Sequence, residues 1–100
     1  MNTVILIGRL TRDPELNYTK NGKAVCNFTL AVDRPFNKDE TDFIPIVVWG
    51  KTAENSANYL DKGRLVAVEG RLQIRSYNDK DDNKRRIAEV VANNVQFLDW

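Results

Sequence analysis

Apolar and polar positions alternate along much of this chain, most sharply in Asp42-Phe43-Ile44-Pro45-Ile46-Val47-Val48-Trp49-Gly50-Lys51. β-branched and aromatic residues dominate that run, as they do in strands. With side chains alternating across the backbone, Ile44, Ile46 and Val48 share one face, and Phe43, Pro45, Val47 and Trp49 share the other. The first face reads as aliphatic core. The second carries two large aromatics with a lysine beyond, and it has two readings. It is a platform for stacked nucleic-acid bases, or the strand is buried on both sides.

The rest of the chain falls into elements around this one. Residues 3–10 predict a first strand, apolar on both faces through Val4, Ile5, Leu6 and Ile7. Asp13-Pro14 breaks it, and Asn21-Gly22 signals a turn. A second strand spans 24–32, with Ala24, Cys26, Phe28, Leu30 and Val32 inward and Asn27 and Thr29 outward. The chain leaves that strand at Asp33-Arg34-Pro35-Phe36, and 37–41 reads as a charged loop.

After Gly50 the period lengthens. Ala53, Ala57 and Leu60 recur at helical spacing, flanked by Ser56 and Tyr59. Thr52 is the expected N-cap, and Lys62-Gly63 the expected close of a short helix. Residues 65–77 predict a fourth strand with a bulge or bend at Gly70. A polar turn at 78–84, loaded with Asp79, Asp81 and Asp82, leads to a fifth strand at 85–97 and a short tail, Leu98-Asp99-Trp100. Phe28 and Phe97 are expected in the core, and Trp100 is expected to pack loosely.

Three strands, one short helix and two more strands is the order of the five-stranded OB barrel, an all-β fold. An SH3-like barrel lacks the helix at that place, and a βαβ fold needs more helices. In a small closed barrel the first strand bends and serves both halves, which accounts for its two apolar faces. An edge that pairs with a second copy accounts for them as well, and the two explanations are compatible.

Composition narrows the chemistry. One hundred residues with no repeat or linker imply a single domain over 1–100. The chain is 42% hydrophobic and 29% charged, ordinary values for a soluble domain, and no apolar run approaches a membrane span. No signal-peptide pattern opens it, and its single cysteine, Cys26, fits a reducing cytoplasm. Without a basic neighbour, Cys26 reads as a small buried hydrophobe rather than a nucleophile. With no histidine, the usual zinc sites and Ser-His or Cys-His catalysis are excluded, so no enzyme, metal or cofactor is expected. Asp79, Asp81 and Asp82 lack the glycine and closing glutamate of a calcium loop. Net charge is +1, so any nucleic-acid binding must come from charges sorted onto one face.

Such sorting is visible. Arg34 stands two residues from Phe36, and Lys51 two from Trp49. Arg71, Arg75 and Tyr77 lie at even spacing, and Lys84, Arg85 and Arg86 cluster across the following turn. Each cation alone reads more readily as a solvated surface residue; four aromatic-plus-cation pairings on one small barrel favour single-strand binding. Arg9 and the outward Thr29 complete the candidate set. Aromatic platforms hold bases without reading sequence, at about 1–3 kcal/mol per stacked base.

These residues also carry a resemblance. Asn2 to Leu10 with Asp13-Pro14-Glu15, Asn21-Gly22, and Phe28-Thr29-Leu30-Ala31-Val32 resemble the bacterial single-stranded-DNA-binding protein family. So do Trp49-Gly50-Lys51-Thr52-Ala53-Glu54, Tyr59-Leu60, Lys62-Gly63, Val68-Glu69-Gly70-Arg71-Leu72 and Glu89-Val90. The similarity runs in order from residue 2 to about 98. It implies an OB fold, cooperative and sequence-tolerant binding of single-stranded DNA, and a homotetramer built as a dimer of dimers. Val4, Ile5, Leu6 and Ile7 would serve that interface. It also implies work in replication, repair and recombination in the nucleoid-associated bacterial cytoplasm. The family's four stacking places correspond to Phe36, Phe43, Trp49 and Tyr77; members commonly carry tryptophan at several of them. Pro45 stands where a polar or basic residue is frequent, which removes a phosphate contact and a backbone donor.

A replication-restart primosome adaptor of the same fold is the alternative. A metal-dependent nuclease is disfavoured, because no two inward carboxylates sit at suitable spacing on the strands. Family members usually continue into a flexible linker and an acidic tip that recruits replication and repair proteins. This sequence ends at Trp100, so recruitment through such a tail is not expected.

Overall fold

The computed structural model describes residues 1–99, with every side chain among them except that of Lys38. The expectation for Trp100 lies outside the described residues. In chain order the elements are β1 (Val4–Leu10), β2 (Glu15–Tyr18), β3 (Ala24–Arg34), β4 (Asn37–Trp49), α1 (Lys51–Tyr59), β5 (Leu65–Asn78) and β6 (Lys84–Phe97). β1 pairs with β5 from Val4↔Gly70 to Arg9↔Leu65, then crosses to β3 through Arg9↔Ala31 and Leu10↔Leu30. Gly8 permits that crossing: a Cβ there would stand 2.3 Å from the Ala31 carbonyl oxygen. The remaining order, β5-β6-β4-β3, closes the barrel, with β4 and β6 running parallel. The fold is the expected OB-like barrel of five strands with one short helix between β4 and β5.

The core follows the predicted periodicity. Leu30, Ile46, Val48 and Val66 are at most 1% exposed. Each such burial stabilises by roughly 1.5–3 kcal/mol. Phe28 and Cys26 are buried as expected, and Phe97 packs against the core while partly buried. Gly70 marks the predicted bulge, where the β5–β6 register shifts between Glu69 and Gly70. A Cβ at Gly70 would meet the Val91 carbonyl oxygen at 2.1 Å, so the strands approach too closely there for any side chain.

Five expectations need correction. Residues 37–41 are not a loop but the start of β4: Arg34↔Asn37 and Asp33↔Thr41 zip a hairpin whose turn is Pro35-Phe36. Its acids are answered across the hairpin, Arg34 Nη1 lying 2.6 Å from Glu40 and Nη2 3.0 Å from Asp42. β2 is an additional short strand, Glu15–Tyr18, added to the edge of β3. The helix is capped by Gly50, at φ 72°, rather than by Thr52, which lies inside the first turn. It ends at Leu60, and Gly63 instead turns the chain back so that its N–H donates to the Leu10 carbonyl. Within α1, Ser56 is fully buried rather than flanking, its hydroxyl donating to the Thr52 carbonyl at 2.8 Å.

β1 also divides more cleanly than its composition suggests. Val4 and Leu6 pack against the core, whereas Ile5 and Ile7 are 66% and 57% exposed. Closure thus explains half of the apolar run and leaves the other half facing solvent.

Candidate nucleic-acid interface

The outer face of the sheet is assembled from registers between distant strands. Trp49 stands opposite Val25, Val47 opposite Asn27, Pro45 opposite Thr29, and Phe43 opposite Ala31. The parallel ladder places β6 on the other side of β4, with Val47 beside Val91. β5 then sets Arg71 opposite Val91, Gln73 opposite Glu89, Arg75 opposite Ile87 and Tyr77 opposite Arg85. Partners across a ladder share a face. One continuous surface therefore carries Trp49, Phe43, Arg71, Arg75 and Tyr77. Pro45 interrupts little, because the ladder to β6 begins one residue later, at Ile46.

The aromatics protrude from this surface. Phe43 is exposed, Phe36 stands fully exposed at the tip of the β3–β4 hairpin, and Tyr77 is exposed near the end of the β5–β6 ribbon. Trp49 is 39% exposed, with Lys23 Nζ 5.1 Å from its ring centroid. The exposure of Phe43 and Trp49 removes the reading in which this strand is buried on both faces. At the middle of the face lies a groove of about 240 Å³, reached between Thr11, Asn27, Thr29, Pro45, Arg75 and Glu89.

The candidate cations are placed unequally. Arg71 Nη1 donates to the Gln73 side-chain oxygen at 2.8 Å, and Arg75 Nε donates to Glu89 at 2.9 Å. Lys51 is exposed at the first turn of α1. Arg34 is held by Glu40 and bidentately by Asp42, whose carboxyl it keeps below the usual range. Arg9 donates to the Gly63 carbonyl at 2.9 Å and faces Asp99 at 3.5 Å, tying the chain end to β1 rather than lining the groove. Lys84, Arg85 and Arg86 do not act as one cluster. Lys84 pairs with Asn78 and Arg86 with Ser76, on the side of the ribbon opposite Tyr77. Arg85 shares the Tyr77 side but binds Asp79 at 2.9 Å. Asp79 also accepts from the Asp81 and Asn83 N–H groups, so it organises the turn; the Arg85 hydrogen bond first, and these backbone donors after it, hold its pKa low.

The sequence reading missed Thr11, Arg12, Asp13, Glu15, Asn27 and Glu89 as groove residues and Lys23 as the partner of Trp49. Asn27 was legible as outward. Lys23 was reachable through the register, since it lies two residues before Val25, the partner of Trp49. Among the described residues, no group of histidine, cysteine or carboxylate side chains converges to hold a metal ion, and no helix is long and apolar enough to cross a membrane.

The model of the single-strand binding protein family matches residues 1–98. Single-stranded DNA-binding protein 2 of Clostridium acetobutylicum is 62% identical over 104 residues, covering 100% of this chain and 78% of that protein. The chain belongs to the single-strand binding protein family. Similar members are the single-stranded DNA-binding protein of Clostridium tetani, 59% identical with 100% of this chain and 72% of that one covered. That of Halalkalibacterium halodurans is 57% identical, with 99% and 61% covered. Against this membership, the aromatic face is the part of the barrel whose exposure the fold does not require. Its apolar rings would be cheaper to bury than to display.

Proposed function

We propose that the chain, as a single domain over residues 1–100, binds single-stranded DNA on the β3–β4–β6–β5 face, stacking bases on Trp49 and Phe43 and extending to Phe36 and Tyr77. The observation that carries this is the shared face: two exposed aromatics on β4 lie beside Arg71 and Arg75 on β5, brought together by the parallel β4–β6 ladder. Lys23, Lys51, Arg71 and Arg75 meet phosphates along the rim, while Thr29 meets the strand at the groove. Arg34, Arg9, Lys84 and Arg86 contribute as peripheral charges. Family membership supports the same reading, and none of the relatives named above supports a primosome adaptor.

The protein works as a homotetramer, a dimer of dimers, through the β1 edge with Ile5 and Ile7 exposed beside Val4 and Leu6. It acts in the bacterial cytoplasm, protecting strands in replication, repair and recombination without catalysing a reaction. Titration with oligo-dT of graded length, with complex mass measured by light scattering, tests this. Binding is expected to be tighter to single strands than to duplex and to weaken with salt by about 0.7 per phosphate contact. Equal affinity for duplex and single strand at moderate salt would refute the reading.

A further inference from the structure

Arg75 and Arg34 are both held by carboxylates, and the two holds differ. Arg34 donates through Nε and Nη2 to Asp42 and through Nη1 to Glu40, so all three nitrogens are engaged. Arg75 donates to Glu89 through Nε alone, at 2.9 Å, and no described residue bonds its Nη1 or Nη2. The acids on Arg34 are about half exposed, whereas the Glu89 side chain is 5% exposed beside an Arg75 that keeps 54%. A carboxylate with so little water needs a donor, and a guanidinium so held loses its freedom to turn. The pair lies in the wall of the central groove, beside Thr29 and Pro45. Three other charged residues line that groove. Asp13 accepts the Lys62 N–H at 2.8 Å, Glu15 stands exposed opposite Asn27 on β2, and Arg12 is exposed. Neither of these acids is bonded to Arg75.

We infer that Glu89 is a positioning residue for strand binding. It fixes the Arg75 guanidinium through Nε, so that the two terminal nitrogens together meet one phosphate of the strand. This rests on the single-strand reading above and gives a role to an acid that a polyanion-binding face would otherwise lack. A free arginine must give up its side-chain rotations when it grips a phosphate. One already held at Nε has given them up on folding, so less is lost on binding. With Nε taken, the Nη1 and Nη2 groups remain as a parallel pair, the geometry in which a guanidinium binds phosphate bidentately. The guanidinium then stands between the acid and the phosphate, and the carboxylate, being buried, does not face the strand. A phosphate contact carries no sequence information, so the strand is held here whatever its bases.

The test measures oligo-dT affinity of the full chain, by tryptophan quenching at one salt concentration, in a set of variants. If charge alone mattered, removing an acid from this face would tighten binding. Glu89→Ala is expected instead to weaken it about three- to tenfold, within the worth of one charge-assisted hydrogen bond. Glu89→Gln keeps an oxygen for Nε and sheds the charge, so it should bind at least as tightly as the wild type. With Arg75→Ala already in place the sign should reverse: adding Glu89→Ala then removes only an unpaired acid and should tighten binding. Tighter binding by Glu89→Ala while Arg75 is present, or the same sign in both backgrounds, overturns the positioning role while the single-strand reading stands. Failure of the wild type to bind oligo-dT overturns that reading and this one with it. The Arg75 Nε–H signal in NMR of the wild type needs no variant, so it decides the matter even where one does not fold. It should exchange slowly in the free chain and persist with oligo-dT bound, and its loss to rapid exchange in either state overturns the role.

Discussion

Lys23 Nζ stands 5.1 Å from the centroid of the Trp49 ring, held there by the hairpin that sets Val25 opposite Trp49. At an exposed site such a cation–π contact contributes about 0.5–1 kcal/mol. It steadies the indole on one side while leaving ring surface open to a base. On the proposed reading, the ammonium would meet the phosphate of a nucleotide stacked there.

Trp49→Ala should therefore abolish most oligo-dT quenching and weaken binding by about 1–3 kcal/mol, one stacked base. Thermal melting should shift little, because the ring is already 39% exposed in the free protein. Quenching should survive removal of Trp100. A melt that collapses while oligo-dT affinity is unchanged would make Trp49 a packing residue and sink the platform assignment.

Arg34 and Arg71 should differ in their effect on salt dependence. Arg34 is engaged by two carboxylates, Glu40 and Asp42, whereas the side-chain partner of Arg71 is the neutral Gln73. Arg71→Ala should lower the slope of log affinity against log salt by about 0.7, and Arg34→Ala by less. The pair also sets a pH window. Asp42 is depressed by Arg34, first through the hydrogen bond and then through charge, so its contribution is full above the ordinary carboxylate range and is lost as pH falls through the lower folded value. In Arg34→Ala, an NMR titration of Asp42 should move back up toward 3.8. Equal slopes for the two variants would show that the ion pairs do not hold Arg34 back from phosphate.

Ile7→Glu should separate assembly from folding. Both the Ile5 and the Ile7 side chains face solvent, so a charge at Ile7 leaves the core packing of β1 untouched. The variant is expected to retain its circular dichroism and melting cooperativity while its mass by light scattering falls below that of the proposed tetramer. A tetrameric mass in Ile7→Glu would exclude this face of β1 from the interface.

Cys26 should be silent toward thiol reagents in the folded protein. It is 0% exposed, and burial pushes its pKa from 9.0 to about 11. Thiolate is the reactive form, so both access and ionisation oppose reaction. An aromatic disulfide reagent at pH 8 should label Cys26 only as fast as the barrel opens. Because the unfolded thiol ionises first, stability should decline as pH rises from about 9 to about 11. Prompt labelling without denaturant would mean that the strands around Cys26 part readily.

What the sequence determined by itself is the part of the structure that period two encodes. The inward set Ala24, Cys26, Phe28 and Leu30 and the outward set Phe43, Pro45, Val47 and Trp49 follow from backbone geometry that every strand shares. Gly70 was legible for a similar reason, since a glycine within an apolar strand marks close approach. Residues 37–41 were not, because their acids look like loop chemistry until Arg34 is set across from them by the hairpin. The cap was misjudged because a hydroxyl at Thr52 looks sufficient, while a backbone at φ 72° favours glycine and settles the start on Gly50.

Tertiary structure alone decided what shares a surface. Trp49 and Arg71 are 22 positions apart in sequence and meet on one face only because β6 inserts between β4 and β5. The same insertion brings Glu89 into the lining of a groove beside Thr29 and Pro45, while the β5–β6 register puts Lys84 and Arg86 on the side opposite Tyr77. Periodicity tells each strand which side is inward. The partner and the register come from closing the barrel, a condition that all five strands satisfy at once and that no local stretch records.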